Sequence, residues 1–210
     1  MKTLTDLARE CGNDKIKDCH SFGGSSYMDH YERLFRPIKD DVKVALEIGV
    51  NTGTSIGIWS EYFANAKILG LDINPECLRH NSDRAEIFIG SQDEVATLSK
   101  ITDKYPLIDI VIDDGSHLVD DMISSFEYLF PFVKNGGYYV IEDLYTTYRD
   151  LTEDVKQWPG MHLTKDTSKF VNNRAKMDRF FSDIVRGMDL RMGEVFSLSF
   201  VHQMAVFTKV

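Results

Sequence analysis

Val42 to Ile48 is a nearly unbroken apolar run of strand length, followed by Gly49-Val-Asn-Thr-Gly53 and a helical pattern from Thr54 to about Phe63. Strand, glycine turn and helix, in that order, open a nucleotide-binding βαβ unit. Glycines let the backbone approach a ligand closely, and the N-terminus of the helix favours negative charge. Further strand-like runs repeat the theme. Ala66–Leu71 ends in Asp72, close to the ~20-residue spacing at which an acid holds a ribose diol. Ala85–Ile89 ends in Gly90-Ser-Gln-Asp93, Ile108–Asp113 runs into Asp114-Gly-Ser-His117, and Gly137–Ile141 ends in Glu142-Asp143. Strands alternating with helices predict a mostly parallel sheet covered on both faces, with ligands at the carboxyl ends of the strands. Every acid just named sits at such an end. If the last two strands are parallel neighbours, four carboxylates and one imidazole meet in one crevice, a place for metal or acid–base chemistry.

The rest of the chain frames this core. Residues 1–40 read as a polar helical arm, broken at Gly23-Gly24. Ser25 or Ser26 caps a helix over Tyr27–Phe35, and Pro37 ends it. The arm either packs on the sheet or forms a lid, since Asp14, Lys15, His30 and Tyr31 are many polar groups for a mere cover. Leu118–Val133 reads as a helix that Gly136-Gly137 breaks before the next strand. Residues 144–190 are less regular, with a loop at Trp158-Pro-Gly160 and a helix from Thr167 to about Met188. Glu194–Val201 and Met204–Val210 are separated only by His202 and Gln203, which predicts an antiparallel hairpin at the sheet edge.

The 210 residues suit one domain, and 43% hydrophobic with 27% charged residues is ordinary for a soluble protein. A net charge of −9 without a long basic run argues against a nucleic-acid partner. No apolar run approaches the ~20 residues that span a bilayer, so no membrane partner is expected. Met1–Asp6 lacks a signal-peptide core, and Cys11, Cys19 and Cys77 are too sparse for a disulfide framework; both point to the cytoplasm. A homo-oligomer is compatible with all of this.

Gly49-x-x-x-Gly53 is not the dinucleotide fingerprint, and Glu47 two residues before it would repel a pyrophosphate. S-adenosyl-L-methionine carries no phosphate and has an ammonium and a sulfonium, which an acid tolerates. With the terminal hairpin, this favours a methyl transferase over a nicotinamide oxidoreductase. Leu46–Gly53, Leu69–Ile73, Asp109–His117 and Tyr139–Asp143 together resemble the metal-dependent sugar O-methyltransferases of macrolide biosynthesis. The resemblance runs from about Asn13 to Val210. Gly12-Asn-Asp-Lys15 is similar to a Gly-Thr-Asp-Lys element of that group, and Gly90-Ser-Gln92 to a Gly-Asp-Gln element.

The resemblance implies a Rossmann-like class I methyltransferase of α/β class: a seven-stranded, mostly parallel sheet with a C-terminal antiparallel hairpin and helices on both faces. Residues 1–40 would be the helical arm or lid, and 41–210 the methyltransferase domain with a substrate-side insertion around 144–190. It implies that Asp114, Glu142 and Asp143 hold Mg²⁺ and that His117 is the general base. Glu47, Gly49, Thr54 and Ser55 at the turn, Asp72 and Ile73 on the next strand, Ser91, Gln92 and Asp113 beyond, and Tyr31 on the arm are assigned to S-adenosyl-L-methionine. The acceptor would be a sugar hydroxyl of a bacterial natural product or glycan with vicinal hydroxyls. A divalent ion prefers carboxylate oxygens and acidifies a diol hydroxyl, and an imidazole with an ordinary pKa of ~6.5 can take the proton.

Plainer readings stand beside these. Asp113 can cap the turn, His117 can cap the following helix, and the strand-end acids can be merely solvated. Asp14, Lys15 and Tyr31 can be structural. His20, His30, His162 and His202 read as surface or satisfied residues, and Tyr145, Tyr148 and Trp158 as core or pocket lining. A catechol-like aromatic diol would suit the same metal chemistry, and a non-catalytic nucleotide-binding protein would suit the fold.

Overall fold

The computed structural model describes residues 2–17, 20–148 and 172–210. The chain enters through α1 (Leu4–Cys11), where Thr3 and Asp6 exchange side-chain-to-backbone bonds in a capping box. A 3₁₀ turn (Asp14–Ile16) follows. Next come two short strands, β1 (Ser21–Phe22) and β2 (Ser25–Ser26), which pair across Gly23-Gly24. The expected helix break is therefore a small hairpin. It leads straight into α2 (Tyr27–Phe35), capped by Ser26 with Asp29 at the reciprocal position.

The sheet is built from β3 (Val44–Ile48), β4 (Lys67–Asp72), β5 (Ala85–Ile89), β6 (Ile108–Asp113), β7 (Val133–Ile141), β8 (Val195–Val201) and β9 (Met204–Lys209). The strand order is β5-β4-β3-β6-β7-β9-β8. The first five strands are mutually parallel, and β9 runs antiparallel to both β7 and β8. The hairpin thus closes the sheet with its second strand inside and its first at the edge. The helices α3 (Thr54–Tyr62), α4 (Val95–Lys104), α5 (Val119–Leu129) and α6 (Arg174–Asp189) complete the layers. The predicted start of α6 near Thr167 and the Trp158 loop lie outside the described residues.

Alternation along each strand feeds two cores. Ala45, Ile68, Ile110, Ile112 and Val140 face α1, α2 and α3, where Leu4, Leu7, Tyr27, Phe35, Trp59 and Phe63 pack. Leu46, Leu69, Val111, Tyr139 and Phe207 face the other way, onto Leu98, Ile101, Phe126 and Phe181 of α4, α5 and α6. The N-terminal helices are therefore part of one covering layer.

Two boundaries differ from the sequence reading. α5 ends at Leu129, and after a 3₁₀ turn at Phe130–Phe132 the strand begins at Val133. Gly136-Gly137 lies inside β7. A Cβ on Gly137 would sit 2.5 Å from the Asp109 carbonyl oxygen, so this glycine admits the neighbouring strand. Among the described cysteines, Cys11 is exposed and Cys77 buried, both as free thiols. No described helix is long and apolar enough to cross a membrane.

One side chain closes the far end of α3. The Arg84 guanidinium donates to the carbonyls of Ser60, Phe63, Ala64 and Ala66 at 2.6–3.2 Å. Of these, the Ser60 carbonyl is one that the end of α3 leaves open, and the other three lie in the turn to β4. Arg84→Ala is expected to lower unfolding free energy in urea by about 1.5–3 kcal/mol, the range for hydrogen bonds to a charged group.

Candidate active site

Register places the chemistry. Asp113 lies opposite Ile141 across the parallel β6/β7 pair. The next residues out of the sheet, Asp114 and Glu142-Asp143, therefore emerge side by side at the carboxyl ends of the strands. The turns beyond them hold two non-glycine residues in the left-handed region: His117 at φ 58° and Asp143 at φ 54°. Such conformations cost ~1–3 kcal/mol each and persist where surroundings fix them. Here Asn172 does so. Its amide donates to the His117 carbonyl at 3.0 Å and the Thr146 carbonyl at 2.9 Å, and its oxygen accepts from Val119 N–H at 3.0 Å.

The result is a compact donor set. One ligand atom each from Asp114, His117 and Asp143 lies within 4.8 Å of the others. His117 Nε2 is 3.9 Å from Asp114 Oδ1 and 3.8 Å from Asp143 Oδ2. His117 Nδ1 is buried with no hydrogen-bond partner. Glu142 turns slightly away. Its Oε2 accepts from Lys15 Nζ at 2.6 Å and its Oε1 from the Tyr31 hydroxyl at 2.5 Å. Lys15 also donates to Asp114 Oδ2 at 2.5 Å and stands 3.9 Å from Glu47 Oε1.

The N-terminal layer supplies more of this lining than sequence reasoning assigned to it. Tyr27 and Tyr31 are one turn apart on α2, so both hydroxyls reach the acids. Tyr27 donates to Asp143 Oδ1 at 2.8 Å and meets Gln203, in the β8–β9 turn, at 3.2 Å. His20 is buried with Nδ1 3.4 Å from Asp143 Oδ1, where the sequence placed it at the surface or in ordinary contacts. The (i, i+4) tyrosine pair was a readable signal. Nothing in sequence spacing announced His20, Gln203 or Asn172.

Burial sets the electrostatics. It opposes charge on Lys15, but the surrounding Asp114, Glu142 and Glu47 carboxylates outweigh it and hold the ammonium well above the ordinary lysine pKa. Burial also works to raise Asp143, yet His20 at 3.4 Å, His117 and the Tyr27 hydroxyl hold it below the usual carboxylate range. Glu47 is pushed up to about 7 by burial, with Lys15 and Ser55 pulling the other way.

The residues assigned to the cofactor fall into two groups. Around the glycine turn, Glu47 Oε2 accepts from Ser55 Oγ at 2.6 Å, while Oε1 is buried without a hydrogen-bond partner. Gly49 passes against the Asp114 carbonyl. Thr54 Oγ1 accepts from Asn13 Nδ2 at 3.1 Å. Asp72 Oδ2 accepts from the Val50 and Asn51 amides and Oδ1 from Asn74 N–H, so the acid read as a ribose ligand also pins the turn. Ile73 is half-buried beside it.

The second group lies behind the β6 loop. Gln92 Nε2 donates to both Asp113 oxygens at 3.0 Å, and its Oε1 accepts from Ser116 N–H at 2.7 Å. Ser125 and Tyr139 complete the Asp113 network. Burial raises Asp113 to about 6 against these hydrogen bonds. Ser91 bonds Asp93 at 2.5 Å. Asp113 and Gln92 thus fix the loop that carries Asp114 and His117.

The chain is similar to known methyltransferases. No family model matches the chain. It is 36% identical over 152 residues to the 8-demethyl-8-alpha-L-rhamnosyl tetracenomycin-C 2'-O-methyltransferase of Streptomyces olivaceus, covering 69% of this chain and 38% of that protein. It is 35% identical over 150 residues to the demethylmacrocin O-methyltransferase of Streptomyces fradiae, covering 68% of this chain and 35% of that one. The MycE methyltransferase of the mycinamycin pathway, solved with Mg and SAH, superposes with a TM-score of 0.75 at 30% identity, over 99% of this chain and 55% of that one. The chain spans only about a third to a half of the length of these relatives.

Proposed function

We propose that this chain, which has the class I methyltransferase fold and resembles the metal-dependent sugar O-methyltransferases along most of its length, methylates a sugar hydroxyl of a small natural product or glycan. S-adenosyl-L-methionine and Mg²⁺ are the cofactors. The observation that carries this reading is the convergence of Asp114, His117 and Asp143 within 4.8 Å beside a buried, half-partnered Glu47.

The donor chemistry fits both groups. Asp114, Asp143 and Glu142 offer the carboxylate oxygens that Mg²⁺ prefers, and a cationic side chain, Lys15, already seats itself on two of them. Glu47 Oε1, buried and without a hydrogen-bond partner, suits the ammonium of a methionine moiety. Gly49, Thr54 and Ser55 would border that end, with Tyr31 across from it. Each carboxylate oxygen has two lone pairs, so Asp72 Oδ1 retains one for a ribose hydroxyl, next to Ile73. Ser91 would border the adenine side, and Gln92 and Asp113 act by holding the β6 loop.

When bound, S-adenosyl-L-methionine supplies an electrophilic methyl group and the divalent ion lowers the pKa of the acceptor hydroxyl. The chain's own part is orientation and proton transfer. His117 takes the hydroxyl proton, and the imidazolium so formed lies between Asp114 and Asp143, whose charges stabilise it. Asn172 keeps that imidazole on its turn. The fixed acids and base hold the acceptor for in-line attack.

Two measurements test this. S-adenosylhomocysteine should raise the melting temperature, and NADH should not. EDTA should stop labelled-methyl transfer to rhamnosylated acceptors, with Mg²⁺ restoring it; transfer undiminished in EDTA would remove the acids from the reaction.

A further inference from the structure

We propose that Lys15 is a built-in counter-cation of this site: its ammonium holds Asp114 and Glu142 in place when no divalent ion is bound, and competes with such an ion for them. The inference rests on the reading that these acids take a metal, and it assigns Lys15 a positioning role.

The site concentrates negative charge. Glu47, Glu142 and Asp143 are buried, and Asp114 borders them. Like charges at such spacing repel strongly away from water, and buried carboxylates need a partner. Lys15 is 3% exposed, and its ammonium has three donors. Two are spent on Asp114 Oδ2 and Glu142 Oε2 at 2.5 and 2.6 Å.

This contact divides the acids. Asp114 Oδ1, Asp143 Oδ2 and His117 Nε2 lie together on one side. Glu142 stands outside that group because Lys15 and Tyr31 occupy both of its oxygens. A divalent ion on Glu142 Oε2 would share that oxygen with Lys15, its charge set against the ammonium's. Metal and lysine therefore draw on the same oxygen.

The lysine is also carried by an element that reaches the glycine turn. Asn13 Oδ1 accepts from Lys15 N–H at 3.0 Å, and Asn13 Nδ2 donates to Thr54 Oγ1 at 3.1 Å. One short 3₁₀ turn thus links the first residue of α3 to the acids at the ends of β6 and β7.

The test uses the whole chain and needs no acceptor. Lys15→Met keeps the side chain's length up to the ε position and removes its charge. Its metal-free melting temperature should fall by several degrees, Mg²⁺ should restore it, and calorimetric Mg²⁺ affinity should rise at least ~10-fold because a competing positive charge is gone. Lys15→Arg, which retains the charge, should stay near the parent affinity. Equal or weaker Mg²⁺ binding in Lys15→Met, with normal binding in the parent, overturns the proposal alone. Mg²⁺ binding by neither protein overturns it together with the metal reading. Should Lys15→Met fail to fold without metal, the double variant Lys15→Met/Glu142→Gln removes one charge of each sign. It should regain metal-free stability relative to Lys15→Met, and a double variant no more stable than the single one would assign Lys15 to packing and overturn the proposal.

Discussion

His117→Asn is expected to lower kcat by about 10²–10⁴-fold, the usual contribution of a positioned acid–base group, while leaving S-adenosylhomocysteine binding and melting temperature close to the parent values. Asparagine is the informative replacement. His117 sits at φ 58°, where asparagine is tolerated far better than a residue with an ordinary Cβ preference. Any loss of rate then reflects the missing imidazole rather than a collapsed turn. Among the described residues, little else stands where it could take the proton. His117 Nε2 faces Asp114 and Asp143 at 3.9 and 3.8 Å, and His20, among the described residues the other imidazole near these acids, stands 3.4 Å from the far oxygen of Asp143. Full turnover in His117→Asn would move the base to His20 or to solvent. An unchanged KM with reduced kcat is the signature of a group that acts on the reacting hydroxyl rather than on binding.

What sequence could show here follows a physical line. The mostly parallel sheet and its two covered faces follow from apolar runs of strand length alternating with helices, whereas the order of the strands came only from the structure. The acids at 113–114 and 142–143 were legible because a strand end fixes where its next residue goes. Side-chain pairing across the chain was not. Asp72 has the spacing of a ribose ligand, but its oxygens bond the amides of Val50, Asn51 and Asn74, a local choice that spacing cannot reveal. Asp113 and Asp114 are adjacent in sequence, yet alternation along β6 sends Asp113 into the Gln92–Ser125–Tyr139 network and leaves Asp114 at the crevice. Lys15 belongs to a polar stretch that reads either as an arm packed on the sheet or as a lid. Its burial depends on three acids from β3, β6 and β7, which come together only in the folded sheet.

Gly49→Ala is expected to cost at least ~3 kcal/mol of stability and to remove activity with it, measured by urea unfolding and by turnover of whatever folds. The reason is backbone, not ligand. A Cβ at position 49 would lie 2.0 Å from the carbonyl oxygen of Asp114 and 2.7 Å from its carbonyl carbon. No rotamer change relieves a clash with main chain, so the turn after β3 and the loop after β6 must separate. Gly49 also holds φ at 91°, a conformation that alanine resists. Its amide donates to the Leu71 carbonyl at 2.8 Å, and the Asp114 amide donates to Ile48 at 3.0 Å, so both neighbours of β3 are tied at this level. Pushing them apart displaces Asp114 and, three residues on, His117. The glycine that sequence analysis gave to cofactor approach thus serves first to let two strand ends meet. Wild-type stability in Gly49→Ala would mean that the two turns do not pack as closely as this geometry requires, and the spacing of the acids would have to be redrawn with them.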